Sequence, residues 1–241
     1  MLDAKSERTV AAVADQLQVL FGTELVAVAL YGSAAGSDFV PGRSDINIAV
    51  VLNSLEYQHL HALKRHTPRW RKDRVATPLV LDRAFLRSAA DVFPMELNDL
   101  RTHHRIVYGE DVFAILVVND TNLRYQCEHE ARGKLLRLRE LYIELGDNEG
   151  NLQGLMLDSL KTFLVVMRHL SRLRDQPHAP SYETVLDVFS RTFQCQFPTM
   201  NDLLQIKLGK AEWSGEVEEL FRHYLGEVEK LVQVIDGLET R

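Results

Sequence analysis

A mixed α/β half followed by an all-helical half is the fold class that the 241-residue sequence predicts, and three observations predict it. The first half carries short apolar runs at residues 25–31, 45–52 and 75–81, each the length of a buried strand, with helix-patterned or glycine-rich stretches between them. After Asp120 such runs cease. Three long apolar stripes at close to helical period replace them, at 123–145, 152–173 and 217–238. The boundary falls near 112–120. Residues 1–115 are expected to form a mixed sheet flanked by helices, and residues 116–241 a helical bundle.

Each element follows from local chemistry. Residues 4–21 place Val10, Val13, Leu17 and Leu20 on one helical face, and Gly22 stops that helix. Leu25–Tyr31 is a continuous apolar run and reads as a strand buried on both faces. A stretch rich in glycine and serine follows, from Gly32 to Ser44. Residues 45–52 form a second strand, Asn53 caps a helix running toward Arg65, and Pro68 interrupts it. Residues 75–81 form a third strand, after which Asp82 caps a short helix through Ala90. Residues 92–108 fit either two short strands or a strand and a helix.

In the second half Leu123, Cys127, Ala131, Leu135, Leu138, Tyr142 and Leu145 repeat at helical spacing, and Leu152, Met156, Phe163, Met167 and Leu170 do so again. Shorter helical patterns lie near 181–194 and 199–208, with a turn over 146–150 and a loop with two prolines over 175–180. The stripes serve a core or a homodimer seam.

Composition narrows the function classes. An apolar fraction of 46% and a charged fraction of 26% are those of a globular chain with a sizeable core, not of a disordered one. The net charge of −6 supplies no overall basic field, so nucleic acid is not an expected partner, although a local basic patch is compatible with it. The two cysteines, Cys127 and Cys195, fit no metal-binding spacing and read as buried thiols in a reducing compartment. The start of the sequence lacks the basic segment and apolar run of a signal peptide, and no apolar stretch is long enough to span a bilayer. A soluble cytoplasmic protein without a membrane partner is expected.

The chemistry concentrates in residues 31–51, YGSAAGSDFVPGRSDINIAVV. A strand ends in Gly32-Ser33, and the small residues after it let backbone amides approach a ligand closely. If Ser33 opens a helix, its hydroxyl and the free N–H groups face one point and suit a phosphate. The next strand opens with Ser44-Asp45. Alternation puts Asp45 and Asn47 on one face and turns Ile46 and Ile48 into the core. An oxygen-rich edge then faces the phosphate cradle, an arrangement suited to Mg²⁺.

This stretch resembles the Gly-Ser, spacer, Asp-apolar-Asp/Glu signature of the nucleotidyltransferase superfamily that includes DNA polymerase β. It is most similar to the small bacterial members, among them the aminoglycoside nucleotidyltransferases. The signature covers about twenty residues, and the wider likeness extends over the α/β half and, less specifically, the helical half. The resemblance implies that Gly32 and Ser33 bind the nucleotide phosphates and that Asp45 is the first metal carboxylate. The second ligand of the pair is Asn47 where the family has Asp or Glu; an amide oxygen coordinates without bringing negative charge. A third carboxylate is expected on the third strand, yet residues 75–81 contain none before Asp82. The next candidates are Glu96 and Asp99; Glu96 either sits among apolar neighbours that raise its pKa toward that of a useful base, or points to solvent from an amphipathic strand.

Other features have bland readings. The basic run 64–74 contains Trp70 and would suit RNA through base stacking, or be a solvated helix end. His103 and His104 point to opposite strand faces and make poor joint metal ligands. The segment 108–111 reads as a strand end, a turn and a helix cap. In the helical half, Glu130 and Lys134 are spaced as a surface pair, and the resemblance allows Glu128 or Glu130 to serve an acceptor pocket. The expected activity is binding of Mg²⁺ and a nucleoside triphosphate, with ATP foremost, and nucleotidyl transfer to a hydroxyl acceptor with release of pyrophosphate. The competing expectation is a catalytically silent nucleotide-binding or protein-interaction module with a depleted metal site.

Overall fold

The computed structural model describes residues 2–36, 39–42, 44–146, 148–176, 179 and 181–239. The chain divides into two compact units, Met1–Asn119 and Asp120–Arg241.

In the first unit α1 (Ala4–Phe21) is capped by Asp3, whose carboxylate accepts the Ser6 N–H at 2.8 Å. It stops at Gly22, which takes a positive φ of 51°. Four strands follow among the described residues: β1 (Leu25–Tyr31), β2 (Asn47–Leu52), β3 (Leu79–Asp82) and β4 (His104–Gly109). They lie in the order β3-β2-β1-β4, with β1 antiparallel to both β2 and β4, and β2 parallel to β3. This is the expected mixed sheet.

One face packs on helices. Val28, Leu30, Ile48 and Val50 meet Val13 and Leu17 of α1, together with Leu63 of α2 (Tyr57–Lys64) and Trp70 of α3 (Thr67–Lys72). Each such side chain contributes roughly 1.5–3 kcal/mol by leaving water. The opposite face is buried too, since Ala27, Ala29, Ala49 and Val51 have no exposed surface. At the end of β4, Gly109 has φ 81°, and a methyl group there would lie 2.0 Å from the Val26 carbonyl oxygen. That close approach requires glycine.

Several boundaries differ from the sequence expectation, each for a local reason. β2 begins at Asn47, and Ile46 makes only an isolated bridge to Val75. Pro78 has no N–H to continue that pairing, so β3 starts at Leu79. Asn53 caps no helix: its amide donates to the Thr23 carbonyl at 3.0 Å and accepts from Arg83 at 3.3 Å. Glu56 caps α2 in a reciprocal box with His59. Pro68 opens α3 in its first turn, where no N–H is needed. Asp82 does cap α4 (Arg83–Ser88), accepting the Phe85 N–H at 2.7 Å. Residues 92–108 resolve into α5 (Pro94–Thr102) and then β4. Asp111 caps no helix but closes a turn through the amides of Phe113 and Ala114.

The second unit consists of α6 (Asp120–Leu145), α7 (Glu149–Arg172), α8 (Tyr182–Phe193), α9 (Pro198–Lys207) and α10 (Val217–Asp236). The helical periods at 123–145, 152–173 and 217–238 correspond to α6, α7 and α10. α7 packs against each of the other four. Leu123, Cys127, Ala131, Leu135 and Leu138 are buried as a stripe, and Tyr142 stacks on Phe221 with ring centroids 4.4 Å apart. Both cysteines are buried thiols. No Glu130–Lys134 ion pair forms among the described residues: Glu128 pairs with Arg124 at 3.1 Å and Arg132 at 2.9 Å, and Glu130 lies nearest His129.

The turn expected over 146–150 includes Asp147, and the proline loop includes Pro177, His178 and Pro180. These four lie outside the described residues, as do Ser37, Asp38 and Arg43 of the glycine-rich spacer. No helix among the described residues is long and apolar enough to cross a membrane.

Candidate functional site

β1 delivers Tyr31 to the sheet end, where the chain turns through Gly32–Ala35 as a short 3-10 turn closed by Gly36 N–H donating to the Ser33 carbonyl at 3.1 Å. Ser33 therefore opens no α-helix, and the helix-terminus cradle expected there is replaced by the amides of a four-residue turn. Such turns still form anion-binding concavities without a macrodipole. The Ser33 hydroxyl has no hydrogen-bond partner among the described residues. Gly32 takes φ 62°, and a methyl built on it would sit 3.1 Å from Asn47 Nδ2, so this glycine and Asn47 are in near contact.

The expected alternation holds at the start of β2. Ile46 and Ile48 are buried, Asn47 is half-buried and Asp45 is exposed. Asp45 is not free: Arg74 Nη2 lies 3.2 Å from its carboxylate, with 46% of the arginine and 62% of the aspartate side chain exposed. Arg74 also donates through Nε to the Ser44 carbonyl at 3.4 Å. In the sheet register Tyr31 stands opposite Asn47 on one side and His104 on the other. Residues directly opposite share a face. Asn47, Tyr31 and His104 thus form a polar row at this sheet end, and burial pushes the Tyr31 phenol above its ordinary pKa.

Two histidines meet this region. His103 packs on the turn so closely that a methyl on Gly36 would lie 2.4 Å from its Nε2. His104 Nε2 lies 3.0 Å from Asp111 Oδ1, its ring meets Phe113 edge-on, and its buried Nδ1 has no partner among the described residues.

Asp82, at the far end of β3, is engaged by the amides of Phe85 and Leu55. Glu96 lies in the first turn of α5 and is exposed, rather than among apolar neighbours on a strand. The structure therefore sets Gly32 against Asn47, with Ser33 and Asp45 beside them in the chain, and places Glu96 on α5 rather than on a strand. Tyr31, Arg74, His103 and His104 join the site unforeseen, because strand pairing over dozens of residues brings them there. The donor set for Mg²⁺ is one carboxylate, one amide oxygen and one hydroxyl, and no group of three or more His, Cys, Asp or Glu gathers as a metal cluster among the described residues. Mg²⁺ commonly takes one or two carboxylates and completes its shell with phosphates and water. The set fits one Mg²⁺ arriving with a triphosphate, and does not fit a two-ion clamp.

No protein-family model matches the sequence, and no curated protein matches it. Solved structures do match. A crystal structure of spectinomycin adenyltransferase from Enterococcus faecialis with ATP and spectinomycin is similar over 95% of this chain and 99% of that one, with a TM-score of 0.59 and 11% identity. A nucleotidyltransferase-like protein from Exiguobacterium sibiricum is similar over 95% of this chain and 74% of that one, with 14% identity and a TM-score of 0.35, too loose a likeness to argue from. At such identity the likeness is one of fold: this chain has the α/β nucleotidyltransferase fold, followed by a helical region.

Proposed function

We propose that the chain binds a Mg²⁺–nucleoside triphosphate at the Gly32–Ser33 turn and transfers its nucleotidyl group to a hydroxyl acceptor. The observation that carries this reading is the juxtaposition of that turn with Asp45 and Asn47 at one sheet end, in a fold shared with an adenyltransferase crystallised with ATP. Turn amides and the Ser33 hydroxyl would hold the phosphates. Asp45, with Asn47, would hold the cation, whose role is to neutralise charge on the phosphate oxygens. In the transfer the acceptor oxygen bonds to the α-phosphorus, the bond to the pyrophosphate leaving group breaks, and the hydroxyl proton passes to a base. Glu96 is the candidate base.

The test is calorimetry with ATP, GTP, CTP and UTP, with and without Mg²⁺, beside a pyrophosphate-release assay that includes spectinomycin among the acceptors. Mg²⁺-dependent binding of ATP that disappears in Asp45→Ala is expected. Unchanged binding in that variant overturns the assignment.

A second reading, a nucleotide-binding module without transfer, is favoured by two particular observations. Asn47 replaces a carboxylate, and Arg74 already neutralises the remaining one. Asn47→Asp separates the readings. A large gain in transfer marks a depleted enzyme site, whereas a loss shows that the amide belongs to a working one.

A further inference from the structure

The basic run 64–74 has a use that differs from the one its aromatic residue suggested. Trp70 stacks no base: it is 3% exposed, its ring lies 5.7 Å from that of His66, and its indole N–H donates to Gln16 Oε1 at 2.8 Å. It anchors α3 against α1, and in doing so brings two cationic helix faces together.

Lys5 and Arg8 are spaced i,i+3 on α1, and Arg69 and Lys72 are spaced i,i+3 on α3, so each pair shares a face. All four side chains are exposed, and none has a hydrogen bond or ion pair among the described residues. A cavity of about 260 Å³ lies between these helices, and one of about 180 Å³ adjoins it between the start of α1, the segment 39–46 and the end of α3. Lys5 and Asp73 line both. Arg8 and Arg69 line the first, and Lys72 and Arg74 line the second. Two carboxylates share the rim, Asp73 and Asp3, and the latter is committed to capping α1. Among the described residues, the cations therefore outnumber the acids along these two adjoining cavities, in a chain whose net charge is −6. Like charges at i,i+3 disfavour a helix slightly, and here they repel across the groove as well. The groove lies on the Ile46 and Ile48 face of the sheet, with the helices, whereas Asn47 points to the other face.

We infer that this groove binds the phosphodiester backbone of single-stranded nucleic acid. Two cavities in series with cations on both walls match a linear polyanion better than one isolated phosphate. With the indole buried, recognition goes through phosphates and is independent of base sequence. None of the lining residues is an exposed large apolar side chain, which disfavours a lipid surface.

The test is fluorescence anisotropy of the full chain with labelled oligothymidylate and oligouridylate across a salt series. Four neutralised phosphates predict a slope of about −3 in log affinity against log salt, a loss of about fifty-fold between roughly 50 and 200 mM. Arg69→Glu with Lys72→Glu, or Lys5→Glu with Arg8→Glu, is expected to weaken binding by at least about tenfold and to halve the slope. The neutral pair Arg69→Gln with Lys72→Gln guards against misfolding and should give a smaller loss in the same direction. Asp45→Ala, which removes the proposed triphosphate site and releases Arg74 beside the groove, should not weaken this binding. The inference fails if neither oligonucleotide binds, if all three double variants bind like the parent, or if Asp45→Ala abolishes binding. It fails equally if polyglutamate or anionic vesicles compete as well as the oligonucleotides do.

Discussion

Arg74 holds Asp45 across 3.2 Å from a backbone position that itself carries a positive φ of 61°. The pair is half exposed and worth at most about 1 kcal/mol, while a left-handed conformation costs a non-glycine residue roughly 1–2 kcal/mol. Arg74→Gly exchanges one small effect for the other. Urea unfolding should show a stability within about 1 kcal/mol of the parent. With Asp45 released, Mg²⁺-dependent triphosphate binding should tighten in calorimetry. Weakened binding would show instead that the guanidinium contacts the phosphates.

Gly32 and Gly109 both have positive φ but differ in what surrounds them. A methyl on Gly32 meets the end of the Asn47 side chain at 3.1 Å, which can yield by a few tenths of an ångström. Gly32→Ala should cost about 1–2 kcal/mol in urea unfolding and weaken nucleotide binding. A methyl on Gly109 meets the Val26 carbonyl at 2.0 Å, and that carbonyl belongs to the sheet. Gly109→Ala should give little soluble protein, judged by yield and circular dichroism. Equal tolerance of the two substitutions would contradict this local geometry.

Glu227 of α10 accepts the amides of Thr199 and Met200 at 2.8 Å each, closing the N-terminus of α9. Burial raises its pKa from 4.5, against the lowering effect of those amides and of Lys230. An acid with a raised folded pKa binds more protons in the folded than in the unfolded state between the two values. Its contribution to stability is therefore lost as pH rises through the raised pKa, and regained as pH falls toward 4.5. Glu227→Gln removes that titration and leaves one carbonyl acceptor. The stability difference between parent and variant, measured by thermal unfolding at several pH values, should shift in favour of the parent as pH falls. A difference independent of pH would sink this account.

The Tyr224 hydroxyl is buried 2.8 Å from Ser159 Oγ, which also donates to the Met156 carbonyl at 3.0 Å. Ser159→Ala strands the phenol without that partner, at a cost of about 1–3 kcal/mol. Tyr224→Phe leaves the serine its carbonyl and should cost less. Urea unfolding of the two variants gives the order directly.

Much of this architecture was legible because it is local. Leu123, Cys127, Ala131, Leu135 and Leu138 announce α6 by spacing alone, and the bare apolar run of β1 announces a strand covered on both faces. The alternation of Asp45, Ile46, Asn47 and Ile48 likewise follows from the two-residue period of extended chain. Short capping choices were less secure. Asn53 is as good a cap as Glu56 by residue type, and distant partners at Thr23 and Arg83 claimed it.

What sequence by itself determined was therefore the class of each long element and the glycine turn beside an acidic strand edge. Tertiary structure alone decided that β4 pairs with β1 and so carries His104 to Tyr31, that Arg74 meets Asp45, and that Glu96 lies on a helix rather than a strand. It also buried Trp70 and so converted an aromatic basic run into a cationic groove. The physical reason is the range of the interactions. Periodicity and backbone preference act within a few residues, whereas strand register, ion pairs and helix packing join residues far apart in sequence, and depend on every segment between them.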